Sequence, residues 1–133
     1  MKQTYRGSCH CGAVRFEADV DLGKGTFRCN CTICSKTRAW FAAVPKSDMR
    51  LLSGEDKLRD YQFGKQRIHH LFCTVCGVRP FARVKDGEGN EMVALRVNCL
   101  DGVEPGTLAE LPVRYFDMLH DRLEPPQGET RHL

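Results

Sequence analysis

The chain has 133 residues, of which 41% are hydrophobic and 28% charged, and its formal net charge is +3. This length suits one domain with a hydrophobic core, and the composition is that of an ordinary soluble globular protein. No stretch approaches the roughly 20 apolar residues that span a bilayer, so we do not expect a membrane protein. The first residues carry no apolar signal-peptide region, so we expect a cytoplasmic protein with reduced cysteines.

The first half of the chain is typical of short strands. Residues 13–20 alternate apolar with charged side chains, which predicts a half-buried strand. Cys9 and Cys11 precede it. In extended backbone their sulfurs would point to one face, and His10 would point away as an exposed side chain. After a glycine-containing turn at 21–25, strand-like or apolar stretches follow at residues 26–28, 39–44, 49–52, 57–63 and 66–72.

The second half contains the clearest hairpin. Residues 80–85 and 91–98 flank a turn at 86–90 that holds two glycines and an asparagine. A helical turn is predicted within 105–111 and a last strand at 113–116, and the polar residues 125–133 are expected to form a disordered tail. We therefore predict a mostly β protein with few or no long helices, one domain at 1–124 and a polar C-terminal tail at 125–133.

Seven of the eight cysteines are clustered, and this clustering indicates metal binding. In a reducing compartment, closely spaced thiols are typical of metal sites rather than of disulfides. The run Cys29-x-Cys31-x-x-Cys34 can place three thiolates around one Zn²⁺ and leave a fourth position free for chemistry. The remaining cysteines are Cys9, Cys11, Cys73, Cys76 and the isolated Cys99.

Spacing alone leaves the grouping of these ligands open. Cys9, Cys11, Cys73 and Cys76 can close one tetrahedral site, which would leave the triplet as an open second site. Alternatively, Cys99 completes the triplet and both sites are structural. Cys99 also fits the pattern of a small buried apolar residue. A redox role for Cys73-x-x-Cys76 has less support, because no βαβ pattern accompanies it.

Metal binding would also change the charge of the protein. Seven thiolates would add seven negative charges and two Zn²⁺ would add four positive charges, which brings the formal +3 to about zero. A near-neutral protein without basic clusters has little attraction for nucleic acid. We therefore expect neither a nucleic acid nor a membrane as a partner.

Four motifs occur in a fixed order along the chain: GSCHCGAVRF at 7–16, CNCTIC at 29–34, FCTVCG at 72–77 and VNCLD at 97–101. They resemble the motifs of the GFA / CENP-V family, the relatives of the glutathione-dependent formaldehyde-activating enzyme. The resemblance extends from about residue 5 to about residue 121. One departure follows the third motif, where Gly77-Val78-Arg79-Pro80-Phe81 stands in place of the Gly-Thr-Pro-Leu-Phe, or similar, of many members.

The resemblance implies a fold and two zinc roles. The implied fold is Mss4-like, a single zinc-stapled domain of antiparallel sheets. By this resemblance Cys9, Cys11, Cys73 and Cys76 hold a structural zinc. Cys29, Cys31 and Cys34 hold a catalytic zinc, and the catalytic residues are the metal ligands alone.

The implied function is a zinc-dependent carbon–sulfur lyase activity, similar to S-(hydroxymethyl)glutathione synthase. The substrate would be a thiol such as glutathione, joined to formaldehyde or a related small carbonyl. A thiol suits the open position of a Cys₃ zinc, because three anionic ligands weaken the ion as an activator of water. The alternative is a zinc-stabilised module that binds another protein without catalysis.

Four other side chains are weaker candidates for this site. Lys36 and Arg38 follow the triplet and can bind a peptide carboxylate, although a solvated basic loop is the simpler interpretation. Trp40 can line a pocket, but an aromatic residue in an apolar strand is more often part of the core. His120 is a candidate acid or base, and a surface histidine is the commoner case.

Overall fold

A computed structural model describes all 133 residues, and strands account for most of its regular structure. Three strands form a small antiparallel sheet: β1 (Gln3–Ser8), β2 (Arg15–Val20) and β5 (Met49–Ser53), in the order β1-β2-β5. In β2 the side chains of Phe16, Ala18 and Val20 are buried, as its alternating sequence predicts.

The other seven strands form a larger sheet in the order β10-β3-β4-β9-β8-β7-β6. They are β3 (Thr26–Cys29), β4 (Phe41–Pro45), β6 (Leu58–Tyr61), β7 (Ile68–Cys73), β8 (Phe81–Lys85), β9 (Glu91–Arg96) and β10 (Val113–Phe116). All neighbouring pairs are antiparallel except β10 and β3, which are parallel. Residues 97–112 connect β9 to β10, which lies on the far side of β4 and β3. A long crossover of this kind allows β10 to pair in parallel with β3.

Helices are few and short, as predicted. The α-helices are α1 (Thr32–Thr37) and α2 (Pro105–Ala109). The 3₁₀ turns are Leu22–Lys24, Lys46–Asp48, Glu55–Lys57, Val97–Cys99 and Met118–His120. No helix is both long and apolar enough to cross a membrane. The mostly β prediction is therefore confirmed.

The core lies between the two sheets. Phe16 from the small sheet meets Phe81 from the large sheet edge to face, with ring centroids 5.7 Å apart, and both side chains are fully buried. Val93 and Leu95 of β9 belong to the same apolar cluster. Burial of each such side chain contributes about 1.5–3 kcal/mol to folding. The predicted hairpin also forms, because β8 and β9 pair in register around Asp86, whose carboxylate accepts the amides of Glu88 and Asn90.

Two local predictions differ from the structure. Cys9 and Cys11 do not lie in extended backbone, since the Cys9 carbonyl accepts the Gly12 amide and the Cys9 amide donates to Val14 in a tight turn. The tail also differs from the disorder we expected, because Leu133 is 4% exposed and its carbonyl accepts the Arg38 guanidinium at 3.3 Å. The domain limit at residue 124 stays a prediction.

Gly54 provides a test of how tightly the small sheet packs beside the Cys9 turn. Its φ is +88°, and a Cβ would stand 2.2 Å from the carbonyl oxygen of Ala13. Gly64 has φ +59° with open space around it, so Gly64→Ala adds only left-handed strain, about 1 kcal/mol. We expect Gly54→Ala to lower the free energy of unfolding in urea by about 2 kcal/mol more than Gly64→Ala, because backbone cannot move aside. Equal losses would show that the contact relaxes freely.

Candidate metal centres

The first cysteine cluster contains Cys9, Cys11, Cys73 and Cys76, whose sulfurs all lie within 4.8 Å of one another. The Cys9 and Cys11 sulfurs are 3.6 Å apart, and the Cys11 and Cys73 sulfurs are 3.8 Å apart. Zinc–sulfur bonds of about 2.3 Å in a tetrahedron separate neighbouring sulfurs by roughly 3.8 Å. The spacing of these four thiols therefore fits a zinc ion.

Two tight turns bring these four thiols together. One follows β1 and the other follows β7, so the cluster joins the small sheet to the large sheet. In the second turn the Gly77 amide donates to the Cys73 carbonyl at 2.8 Å, and Gly77 adopts φ +78°, which glycine tolerates best. Backbone amides also face the sulfurs: Val14 N donates to Cys9 Sγ at 3.3 Å. Amides of this kind stabilise thiolate charge.

The second cluster contains only Cys29, Cys31 and Cys34, again within 4.8 Å of one another. Cys29 ends β3, Cys31 stands at the start of α1, and Cys34 lies on its first turn. No fourth histidine, cysteine or carboxylate shares this distance to all three sulfurs. Cys99 does not complete the triplet, because it is buried beside the carbonyl of Arg79, 3.9 Å from its sulfur.

The triplet thiols compete for protons. Hydrogen bonds from the Cys29 and Cys34 thiols lower the pKa of Cys31 to about 2, whereas the same crowding, led by Cys29, raises the pKa of Cys34. Three thiols held this closely cannot all ionise unless a cation offsets their charge. Both the spacing and the electrostatics of the triplet therefore fit a divalent metal that prefers sulfur.

A buried carboxylate holds the loop of the triplet in place. Asn30 lies between the first two cysteines, and its Nδ2 donates to Asp117 Oδ1 at 2.7 Å while its Oδ1 accepts the Leu119 amide at 2.9 Å. Asp117 is 2% exposed and also binds Arg122 at 3.0 Å and His120 at 2.8 Å. The hydrogen bond from Asn30, with those from His120 and Arg122, lowers the pKa of Asp117 to about 2. Asp117 therefore stays ionised and links the C-terminal segment to the triplet.

A broad cleft of about 860 Å³ lies between α1 and the C-terminal segment. Its lining includes Asn30 of the triplet loop together with Lys36 and His120, two of the predicted candidates. Arg38 is absent from this lining and binds the Leu133 carbonyl instead. The cleft has the size of pockets that hold ligands of a few hundred daltons.

The remaining sequence candidates lie away from the triplet. Trp40 is half-buried against the core, and its Nε1 donates to Thr26 Oγ1 at 2.8 Å. The Arg28 guanidinium covers the indole ring at 5.0 Å, so Trp40 has a packing role, as the simpler interpretation predicted. His10 is exposed and belongs to neither cysteine cluster.

Sequence reasoning missed His70, Arg79 and Arg96. His70 and Arg96 are 5% and 7% exposed, and the Nη2 atom of Arg79 is buried without a partner. Burial, together with the charges of Arg79 and Arg96, lowers the pKa of His70 to about 4, so its ring is neutral near pH 7. Thiolate charge at Cys31 or Cys34 acts on all three residues, where it favours the protonated form and opposes the lowering of the pKa. Of the three, only Arg79 had a signal in the sequence, because it lies where residues 77–81 depart from the family pattern. The alternation of a strand does not reveal which of its polar side chains are buried.

Comparison with known proteins agrees with this arrangement. A crystal structure of a Rhodobacter sphaeroides protein is 34% identical to this chain and superposes with a TM-score of 0.69, covering 81% of this chain and 98% of that one. Residues 4–114, which include every cysteine of both clusters, match the family described as glutathione-dependent formaldehyde-activating enzyme, GFA. The chain therefore belongs to the GFA family.

Proposed function

We propose that this protein is a zinc-dependent carbon–sulfur lyase acting on the adduct of a thiol, such as glutathione, with formaldehyde or a related small carbonyl. The observation that carries this proposal is the three-cysteine cluster of Cys29, Cys31 and Cys34, which has no fourth protein ligand. A site with three protein ligands leaves a position for a substrate atom, whereas four ligands make a closed structural site. Membership of the GFA family supports the same reaction class.

The two clusters would then have different roles. Cys9, Cys11, Cys73 and Cys76 form a complete ligand set across the two sheets, which suits a structural zinc. A zinc ion at the triplet would supply a soft, sulfur-binding position that lowers the pKa of a substrate thiol. The triplet residues would hold that ion, and the Asn30–Asp117 contact fixes the loop from which two of them project.

The reaction forms or breaks one carbon–sulfur bond. In synthesis the thiol loses its proton, the sulfur attacks the carbonyl carbon, and the carbonyl oxygen gains a proton to become a hydroxyl group. The lyase direction reverses each of these steps. The cleft beside α1 has room for the body of the thiol, and Lys36 on its wall can bind a carboxylate. His70 is neutral and its buried Nδ1 has no partner in the protein, so it can hydrogen-bond a reactant that comes within reach.

The activity is tested by following exchange between free formaldehyde and its glutathione adduct by NMR. We expect the zinc-loaded protein to raise the exchange rate at least tenfold over the uncatalysed reaction, a modest demand for one positioned reactant. Cys31→Ser should return the rate to background. His10→Ala removes an exposed side chain outside both clusters and should keep the full rate. A wild-type rate equal to background would favour the non-catalytic, protein-binding alternative.

The two zinc roles are tested by comparing Cys73→Ser with Cys31→Ser in thermal melts and zinc analysis. Cys73→Ser opens the site that joins the sheets, so we expect the melting temperature to fall by more than about 15 °C. Cys31→Ser should lose one of two zinc ions and melt within about 5 °C of the wild type. Cys99→Ser, outside both clusters, should keep two zinc ions. Equal large losses for the first two variants would contradict separate roles.

A further inference from the structure

Two arginines beside the triplet, the buried Arg96 and the half-buried Arg79, have no carboxylate partner. Arg96 is 7% exposed, and none of the ion pairs in the protein includes Arg96 or Arg79. The Nη2 atom of Arg79 is buried and makes no hydrogen bond. Buried charges in proteins are normally paired, because an isolated charge loses its hydration without compensation.

The two guanidinium groups also lie close enough to repel each other. Arg79 stands in the loop between β7 and β8, and Arg96 ends β9, where its guanidinium approaches the Phe41 ring at 5.9 Å. Burial, together with the charge of Arg79, lowers the pKa of Arg96. Nearby His70 is neutral, so it does not act as a counter-ion for either guanidinium group. Two like charges held together in this way are typical of a site prepared for an anion.

A small cavity lies against both arginines. Its volume is about 250 Å³, and its lining also includes Thr37, Asn98 and Cys99. The Asn98 amide can donate a further hydrogen bond, whereas the Thr37 hydroxyl already donates to the Ile33 carbonyl at 2.7 Å and can only accept. Pockets that hold drug-sized ligands measure about 300–1,000 Å³, so this cavity suits a carboxylate with only a few atoms attached. Thr37 ends α1, the helix that carries Cys34, so the cavity and the triplet share one structural element.

We propose that Arg79 and Arg96 form a subsite for the carboxylate of a small reactant whose sulfur or carbonyl carbon lies at the triplet. A guanidinium group matches a carboxylate with two parallel hydrogen bonds, which gives orientation as well as affinity. The carboxylate can belong to the thiol or to the carbonyl compound, and the small cavity favours the smaller reactant, a 2-oxo acid. The proposal rests on the proposed function only for the position of the reacting atom.

The rival explanation is that the arginines only balance the charge of the metal site. Three thiolates and one Zn²⁺ leave a net charge of −1, which a nearby arginine can offset. In that case the loss of one arginine would weaken zinc binding and would affect charged and neutral reactants equally. A carboxylate subsite instead predicts an effect confined to reactants that carry the carboxylate.

The test compares matched ligands by NMR titration of the zinc-loaded protein. The thiol pair is 3-mercaptopropionate against 2-mercaptoethanol, and the carbonyl pair is glyoxylate against acetaldehyde. We expect the carboxylate member of at least one pair to bind tenfold or more tightly than its neutral partner, and the responding pair identifies the source of the carboxylate. Acetate alone, which needs neither thiol nor carbonyl chemistry, should bind with shifts at Arg79 and Arg96.

Arg79→Met should remove the tenfold preference while leaving the neutral ligands and the zinc content unchanged. Arg96→Gln provides a second variant, and Arg59→Met is the control, because it removes the same charge from an exposed strand position. The subsite is overturned if neither pair shows a preference, or if Arg79→Met weakens all four ligands equally. If the protein binds acetate but is inactive towards formaldehyde, the carboxylate subsite is supported and the proposed reaction is not. Failure of the subsite and failure of the proposed function therefore give different results.

Discussion

Four sulfur atoms from two distant turns meet where the small sheet joins the large sheet, and the rest of the structure depends on that junction. Cys9 and Cys11 follow β1, while Cys73 ends β7 and Cys76 follows it, more than sixty residues later in the chain. The sulfur spacing of 3.6 and 3.8 Å suits a tetrahedral zinc ion. A metal that links ligands so far apart in sequence contributes its binding free energy to folding. The apolar core between the sheets, with Phe16 against Phe81, is assembled beside this link.

The triplet differs from the first cluster in both number and surroundings. Its three sulfurs lie at the end of β3 and the start of α1, on a loop whose Asn30 lines a broad cleft, and the buried Arg96 is close enough to feel their charge. Asn30 and Asp117 fix the loop and are not part of the ligand set, so the cluster has three potential protein ligands. This combination of a rigid support and an incomplete ligand set is what a thiol-binding reaction centre requires.

The sequence predicted the β-rich fold because its signals are local. Alternation in residues 15–20 and the Asp86 turn are each decided within a few residues, and both form as predicted. The two cysteine groups also follow from short spacings, although their separation into four and three needed the resemblance. The prediction of extended backbone at Cys9 was wrong. The backbone hydrogen bonds that join Cys9 to Gly12 and Val14 close a turn, and a pattern of apolar residues does not reveal them.

The surroundings of the triplet could not be predicted in the same way. His70 and Arg96 lie on strands β7 and β9, where a polar residue in an alternating pattern normally faces solvent. Both are buried because the large sheet brings these strands behind the triplet, a contact between residues far apart in sequence. The parallel pairing of β10 with β3 depends on the same long-range assembly, as does the return of Leu133 to Arg38.

The most direct test of the central claim is X-ray absorption at the zinc edge while glutathione is titrated into the protein. Two zinc ions with four and three protein sulfurs would average about 3.5 sulfur ligands per zinc without thiol. If the triplet binds the substrate thiol, that average rises to about 4 on saturation. An average of 4 before addition that does not change with glutathione would contradict an open site, because both zinc ions would then already be fully ligated.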